Sequence, residues 1–238
     1  NAQDIKRRIA SLEGVPPLPS LAREAAACVQ DAPSGLLELA ALVSFEPALA
    51  SALIAEANAG AAQPPVSRIE DALVRLGAAG FRAAAFRYYL DWLFPLGKGR
   101  RLDRSAFRRH AAICAVIAER IAARIDSPRK GEAYVVGLLH DIGKLALDLV
   151  CPDGYPKSLD LTHTQGLSLL EVERRELGAD HTLAGKWLAQ AWGLPERYVD
   201  VIWLHHHPPG SLDETRYSVD FVDIVALANI LAQPHAIG

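Results

Sequence analysis

Several things are missing from this 238-residue chain. No apolar run approaches the roughly eighteen residues of a membrane-spanning helix, and no signal segment opens the sequence, so no membrane is expected. Methionine is wholly absent, and cysteine occurs only at Cys28, Cys114 and Cys151. An odd count without metal-type spacing argues against a disulfide framework. It fits buried thiols in a reducing compartment, so a cytoplasmic location is expected. Charge of one sign is also scarce: the net charge is −3, which offers no general attraction to nucleic acid. Strand-like alternation and internal repeats are lacking. What is present is a chain half apolar and 22% charged, the balance of a soluble globule with a sizeable core. It begins at Asn1, which implies a fragment of a longer protein.

Apolar residues recur at helical period throughout, which predicts an all-α fold of about a dozen helices. Ser67-x-x-Glu70 and Ser168-x-x-Glu171 read as capping boxes. Ser127-Pro128 and Glu46-Pro47 place proline in a first turn. A boundary is expected between Pro95 and Arg104, dividing an N-terminal helical lobe, 1–97, from a histidine-bearing lobe, 98–238. Phe86, Tyr88, Tyr89 and Trp92 crowd the helix before that boundary. Core and lobe–lobe packing, through Phe86, Tyr89 and Trp92, is the favoured reading, and an exposed partner surface the alternative. After the boundary come Lys98, Arg100, Arg101, Arg104, Arg108 and Arg109 with the single acid Asp103. A solvated loop and helix start is favoured for this run, with a basic rim attracting a phosphorylated ligand as the alternative.

The chemistry is concentrated in Gly137-Leu138-Leu139-His140-Asp141-Ile142-Gly143-Lys144. Imidazole and carboxylate both ligate divalent metals, and adjacent they offer one nitrogen and one oxygen to a single ion. On a continuous helix Lys144 would share the face of His140, where its ammonium could hold a phosphate oxygen. A helix-turn histidine beside a solvated aspartate is the plain alternative. All eight histidines lie beyond the boundary. His110 sits inside a long Ala/Ile/Arg helix, and His181 follows Asp180 at a helix start. His205, His206 and His207 run together where Pro208 and Pro209 stop a helix. His163 and His235 read as ordinary surface histidines.

The order His110, His140-Asp141, His181, His205-His206 resembles the HD superfamily of metal-dependent phosphohydrolases. The wider text resembles its HDOD branch, the HD-related output domains of bacterial signalling proteins. Val15-Pro16-Pro17-Leu18-Pro19, Phe45-Glu46-Pro47-Ala48-Leu49 with Glu56-Ala57-Asn58, Ser67 to Gly77, and Trp192-Gly193-Leu194-Pro195 carry that likeness. It runs over roughly residues 12 to 233. The resemblance implies an HD-like helical fold with two packed lobes. It implies metal ligands at His110, His140, Asp141, His181, His205 and His206 for a divalent transition ion (Fe, Mn or Zn), and catalytic roles for Asp141 and Lys144. It also implies partners among signalling proteins or an upstream receiver or sensor domain.

Two departures qualify it. HD hydrolases place an Asp ligand in the last helix, where this chain has Asn229. An amide oxygen can ligate but brings no charge, so a divalent ion is held less tightly. Gly154-Tyr155-Pro156 invites comparison with the HD-GYP cyclic-di-GMP phosphodiesterases, but there the triplet follows the His-His pair. Here it reads as a turn. Three functions are weighed: a signalling output module with a degenerate centre, a phosphohydrolase of a nucleotide or cyclic dinucleotide, and a nucleic-acid regulator using the basic run. The first is expected; a phosphorylated nucleotide ligand belongs to the second, and no nucleic acid is expected.

Overall fold

The computed structural model describes residues 1–27, 33–59, 64–94, 102–127, 130–208, 211–213, 217 and 219–236. Cys28, Lys98, Arg100, Arg101, Pro128 and Pro209 lie outside those residues, as does the side chain of His235. The described residues form helices and no strands. In order these are α1 (Ala2–Ala10), α2 (Ser20–Ala27), α3 (Pro33–Val43), α4 (Pro47–Asn58), α5 (Ile69–Leu93), α6 (Arg104–Arg124) and α7 (Lys130–Leu139). There follow α8 (Ile142–Val150), α9 (Gly154–Gln165), α10 (Leu169–Leu177), α11 (His181–Ala191), α12 (Glu196–Leu204) and α13 (Val219–Ala236). None is long and apolar enough to cross a membrane. The chain divides into two compact units, Leu18–Pro95 and Asn1–Pro17 with Leu96–Gly238, so α1 groups with the later helices.

In the Leu18–Pro95 unit, α2, α3 and α4 all pack on α5. Leu49, Leu53, Leu73, Phe81, Ala85 and Phe86 are buried there. Pro47 starts α4, where its fixed φ suits the first turn and its missing N–H costs nothing. The connection from α4 to α5 is held by Asn58, whose amide exchanges two 2.9 Å hydrogen bonds with the Val66 backbone. Arg75 braces the same segment through the Pro64 carbonyl at 2.7 Å. Gly77 breaks the regular course of α5 at φ 65°, a left-handed backbone open to glycine without a Cβ clash. The expected Ser67 capping box does not form: α5 starts after Arg68, which caps it without a side-chain bond. Tyr89 is buried and donates its hydroxyl to Glu46 Oε2 at 2.6 Å. Trp92 is exposed, against the packing role expected of it.

In the other unit, α6 packs on α7 and α13, and α8 on α11. Two glycines set these spacings. A Cβ on Gly137 would lie 2.8 Å from Ala115 Cα, so α7 meets the backbone of α6. A Cβ on Gly143 would lie 1.8 Å from the His181 carbonyl, so α8 meets the start of α11. Asp103 caps α6 by accepting from the Ser105 and Ala106 amides at 2.9 Å, and Ser168 caps α10 in the expected capping box. Arg104, read from the sequence as part of a solvated basic run, is instead buried and paired with buried Asp148 at 3.0 Å. Removing either partner would leave an uncompensated buried charge. The N-terminal segment is held by Arg8 on the Val150 carbonyl and by Trp192 Nε1, which donates to the Pro16 carbonyl. The triplet Gly154-Tyr155-Pro156 is not a free turn but the first turn of α9, with Tyr155 fully buried.

Candidate metal centre

Asp141 sits where the chain breaks between α7 and α8. Because of that break, Lys144 does not share the face of His140 as a continuous helix would require. It reaches back one turn and donates to Asp141 Oδ2 at 2.6 Å. His110 comes from α6, His181 opens α11 behind its Asp180 N-cap, and His205 caps the C-terminus of α12. The six residues singled out from the sequence converge on the Asp141 carboxylate. Around Oδ2, His110 Nε2 lies at 3.6 Å, His140 Nε2 at 3.4 Å, and the two nitrogens are 3.3 Å apart. Around Oδ1, His181 Nε2 lies at 3.4 Å and His205 Nε2 at 3.6 Å. His206 joins this second group, so two sets of metal-type donors share one carboxylate.

The ring orientations are fixed from behind. His140 Nδ1 donates to the Gly137 carbonyl at 2.7 Å and His205 Nδ1 to the Ile202 carbonyl at 3.0 Å. His181 Nδ1 donates to Glu173 Oε2 at 2.7 Å, and the same oxygen accepts the His181 amide at 2.8 Å. With each Nδ1 committed as a donor, each ring turns its Nε2 toward Asp141. Such support fixes the tautomer and raises ligand basicity. Asp141 Oδ1, His181 Nε2 and His205 Nε2 are buried without a hydrogen-bond partner. Buried polar atoms left unpaired are costly, and these three point at one another. The cluster fits a divalent ion that prefers nitrogen and oxygen donors.

Protonation follows from burial and neighbouring charge. Burial holds His110 down to about 4, against the opposing pull of Asp141 and a hydrogen bond that the protonated ring would donate to Asn229. Burial likewise holds His205 at about 4; His206, exposed at its outer edge, is lowered by the desolvation of its inner side and by His205 and His181. For His140 burial is outweighed by Asp141 and Cys114, and its pKa stands well above the ordinary value. Asp141 is held well below the usual carboxylate range, burial being overcome by Lys144 and His140. An ion seated between them would have to displace the His140 proton.

The centre opens into a cavity of 610 Å³ lined by Phe107, His110, Asp141, Lys144, Tyr155 and Asn229 among others. Asn229 is buried on α13 and faces the centre, as the sequence comparison with HD hydrolases anticipated. His163 is exposed on the cavity wall, and His207 is exposed near Trp203. Sequence reasoning missed Glu173, which lies in a charged run of α10 and reads there as a solvated acid. It also missed Tyr155, whose buried hydroxyl is pushed well above its ordinary pKa by desolvation and by Glu173.

The chain belongs to the HDOD domain family, which it matches over residues 15–208. That family is related to the HD phosphohydrolase superfamily. The fold is similar to an HDOD domain protein of unknown function from Geobacter sulfurreducens, at 27% identity and TM-score 0.84, covering 99% of this chain and 78% of that one. It is similar to a protein of Shewanella amazonensis SB2B described as a phosphohydrolase, at 25% identity and TM-score 0.77, covering 96% and 80%. It is also similar to the MmoQ response regulator of Methylococcus capsulatus, at 27% identity and TM-score 0.52, covering 92% and 87%. An uncharacterized protein of Treponema pallidum is 25% identical over 229 residues, 92% of this chain; the chain spans only 42% of that protein's length.

Proposed function

We propose that this chain is an output or regulatory module of a cytoplasmic signalling protein, working downstream of a receiver or sensor domain, with a degenerate HD metal centre. The observation that carries this reading is Asn229. It faces His110 and Asp141 with an amide where HD hydrolases carry a carboxylate. The Oδ2 side of Asp141 therefore lacks a second negative charge and already holds the Lys144 ammonium. Both features weaken its hold on a second cation. The similarity to a response regulator, and the greater length of the Treponema protein, support a part that works within a larger signalling protein.

In this reading Fe, Mn or Zn would be held through His181, His205, His206 and Asp141, with His110 and His140 on the weaker side. A bound ion would supply Lewis acidity and an acidified water. Glu173 and the Ile202 and Gly137 carbonyls orient the rings, and the His140 proton would leave as the ion entered. The module would change partners, not substrate, when its state changes.

A second reading is favoured by one observation: five histidines and Asp141 remain together at the end of a cavity. In it the chain is a phosphohydrolase of a nucleotide or cyclic dinucleotide. Asp141 joins the two donor sets, and Lys144 swings from Asp141 to a phosphate oxygen. The test is hydrolysis of cyclic di-GMP and simple phosphoesters with added Mn²⁺ or Fe²⁺. The module reading expects turnover well below about 1 s⁻¹, rising from that low level in Asn229→Asp. Metal-dependent turnover of about 1 s⁻¹ or more, within the ordinary enzyme range and lost in Asp141→Ala, would decide for the enzyme.

A further inference from the structure

The Leu18–Pro95 unit has a cavity of its own, of 340 Å³. Three aromatic rings of α5, Tyr88, Tyr89 and Trp92, line it together with Glu46, Pro19 and Pro47. Tyr88 and Trp92 are one turn apart and share a helix face. The Tyr88 and Tyr89 rings stand 5.3 Å apart at 72°, so the aromatic surfaces meet at an angle and do not lie flat. Glu46 stands at the N-cap position of α4 but makes no side-chain cap bond there. Its carboxylate instead accepts the Tyr89 hydroxyl through Oε2. No lysine or arginine is among the residues lining this space. Trp92 is 63% exposed, an indole face left to solvent at the cavity mouth.

We propose that this cavity binds a small solute through a quaternary ammonium group. A carboxylate beside several aromatic rings attracts a cation, since the face of an aromatic ring is negative. The choice among cations follows from the donors each must satisfy. An ammonium carries three N–H donors and a guanidinium five, and each left unmatched on leaving water is costly. The cavity offers them few acceptors: the Glu46 carboxylate and the tyrosine hydroxyls, among proline rings and an indole. A quaternary ammonium has no N–H to satisfy. Its methyl groups pack on the rings and prolines while its charge faces Glu46. The volume lies at the small end of ligand pockets, which begin at about 300 Å³.

The test is titration of the intact chain with choline, read by indole fluorescence and by ligand-observed NMR, with far-UV circular dichroism on every variant. Three comparison solutes are used: 3,3-dimethylbutan-1-ol, which has the shape of choline without its charge, ammonium, and a neutral proline-rich peptide. Choline is expected to saturate with a Kd of about 1 mM or tighter, and the comparison solutes to bind at least about tenfold more weakly. Trp92→Ala, at an exposed position, and Glu46→Gln, which keeps an acceptor for Tyr89, should each fold as wild type and weaken choline by about fivefold or more. The absence of saturation by about 50 mM choline, equal binding of the uncharged alcohol, preference for the proline-rich peptide, or wild-type affinity in a folded Trp92→Ala chain would each overturn the proposal.

Discussion

The two units, both built of helices, use them to opposite ends. Among the described residues, the Leu18–Pro95 unit buries a single charged or polar side chain, Arg82. The histidine-bearing unit buries His140, Asp141, Asp148, Glu173, His181, His205 and several more. In the first, the other polar groups lie nearer the surface, as in the cavity where Trp92 is exposed, Tyr88 half-buried and only the Tyr89 ring buried. In the second they form the interior, and nearly every one has a named partner that orients it. Buried polarity is costly unless paired, so a unit that accumulates it must specify its geometry closely. A unit with an apolar interior can tolerate more substitution.

That contrast can be broken most severely at Gly143. Gly143→Ala puts a methyl group where the His181 carbonyl now lies. It should lower stability by about 3 kcal/mol or more, the upper range of overpacking, or prevent folding, as read by chemical denaturation. If Gly143→Ala melts like wild type, the close approach of α8 and α11 is wrong.

Next in size comes Glu173→Gln. It keeps the volume but removes the charge behind His181. Metal affinity, measured by competition with a chromophoric chelator, should fall by about 10- to 100-fold. An unchanged affinity would mean that Glu173 does not support a ligand.

A pH series probes the buried histidines. His110 and His205 stay neutral in the folded chain down to about 4, against an ordinary value of 6.5. Between pH 6.5 and about 4 the unfolded chain takes up protons that the folded rings refuse, so stability falls as pH falls. His140, shifted upward, contributes its stability fully below 6.5 and loses it only at higher pH. The midpoint of thermal unfolding of chelated protein should therefore drop from pH 6.5 to 4.5, and a flat profile would contradict the burial of these rings.

The smallest effect is expected at Gly80 of α5. An added Cβ meets only the Leu76 side chain, at 3.1 Å. The tight contact opposes the roughly 1 kcal/mol that alanine gains over glycine in a helix, so Gly80→Ala should stay within about 1 kcal/mol of wild type. A loss as large as that of Gly143→Ala would erase the distinction between the units.

The parts legible in the sequence were those written in residue type and period. Helical periodicity foretold the all-α fold, and His110, His140, Asp141, His181 and the His205-His206 pair stood out because few other side chains bind metals. Less legible were features that depend on where a helix breaks. Leu139 ends one helix and Ile142 begins the next, which turns Lys144 from a neighbour of His140 into a partner of Asp141. Arg104 looked solvated because its partner Asp148 lies two helices away. Glu173 was hidden for a similar reason: only the return of the chain at Gly178 and Asp180 brings it behind His181. Ser67 had the spacing of a cap, yet the helix began one residue too late to use it.

The grouping of α1 with the later helices has a consequence in time. The Leu18–Pro95 unit has all its residues once the chain has been made to position 95. The other unit must wait, because α1 docks on α8 and α11, and α6 and α7 are closed by α13, which carries Asn229. During synthesis α1 therefore stays without its partners until the chain has reached α8 and α11. The five histidines and Asp141 have all been made once the chain passes His206, before α13 closes the wall beside them with Asn229. A chain stopped before Val219 would thus carry every histidine of the cluster without the wall beside it.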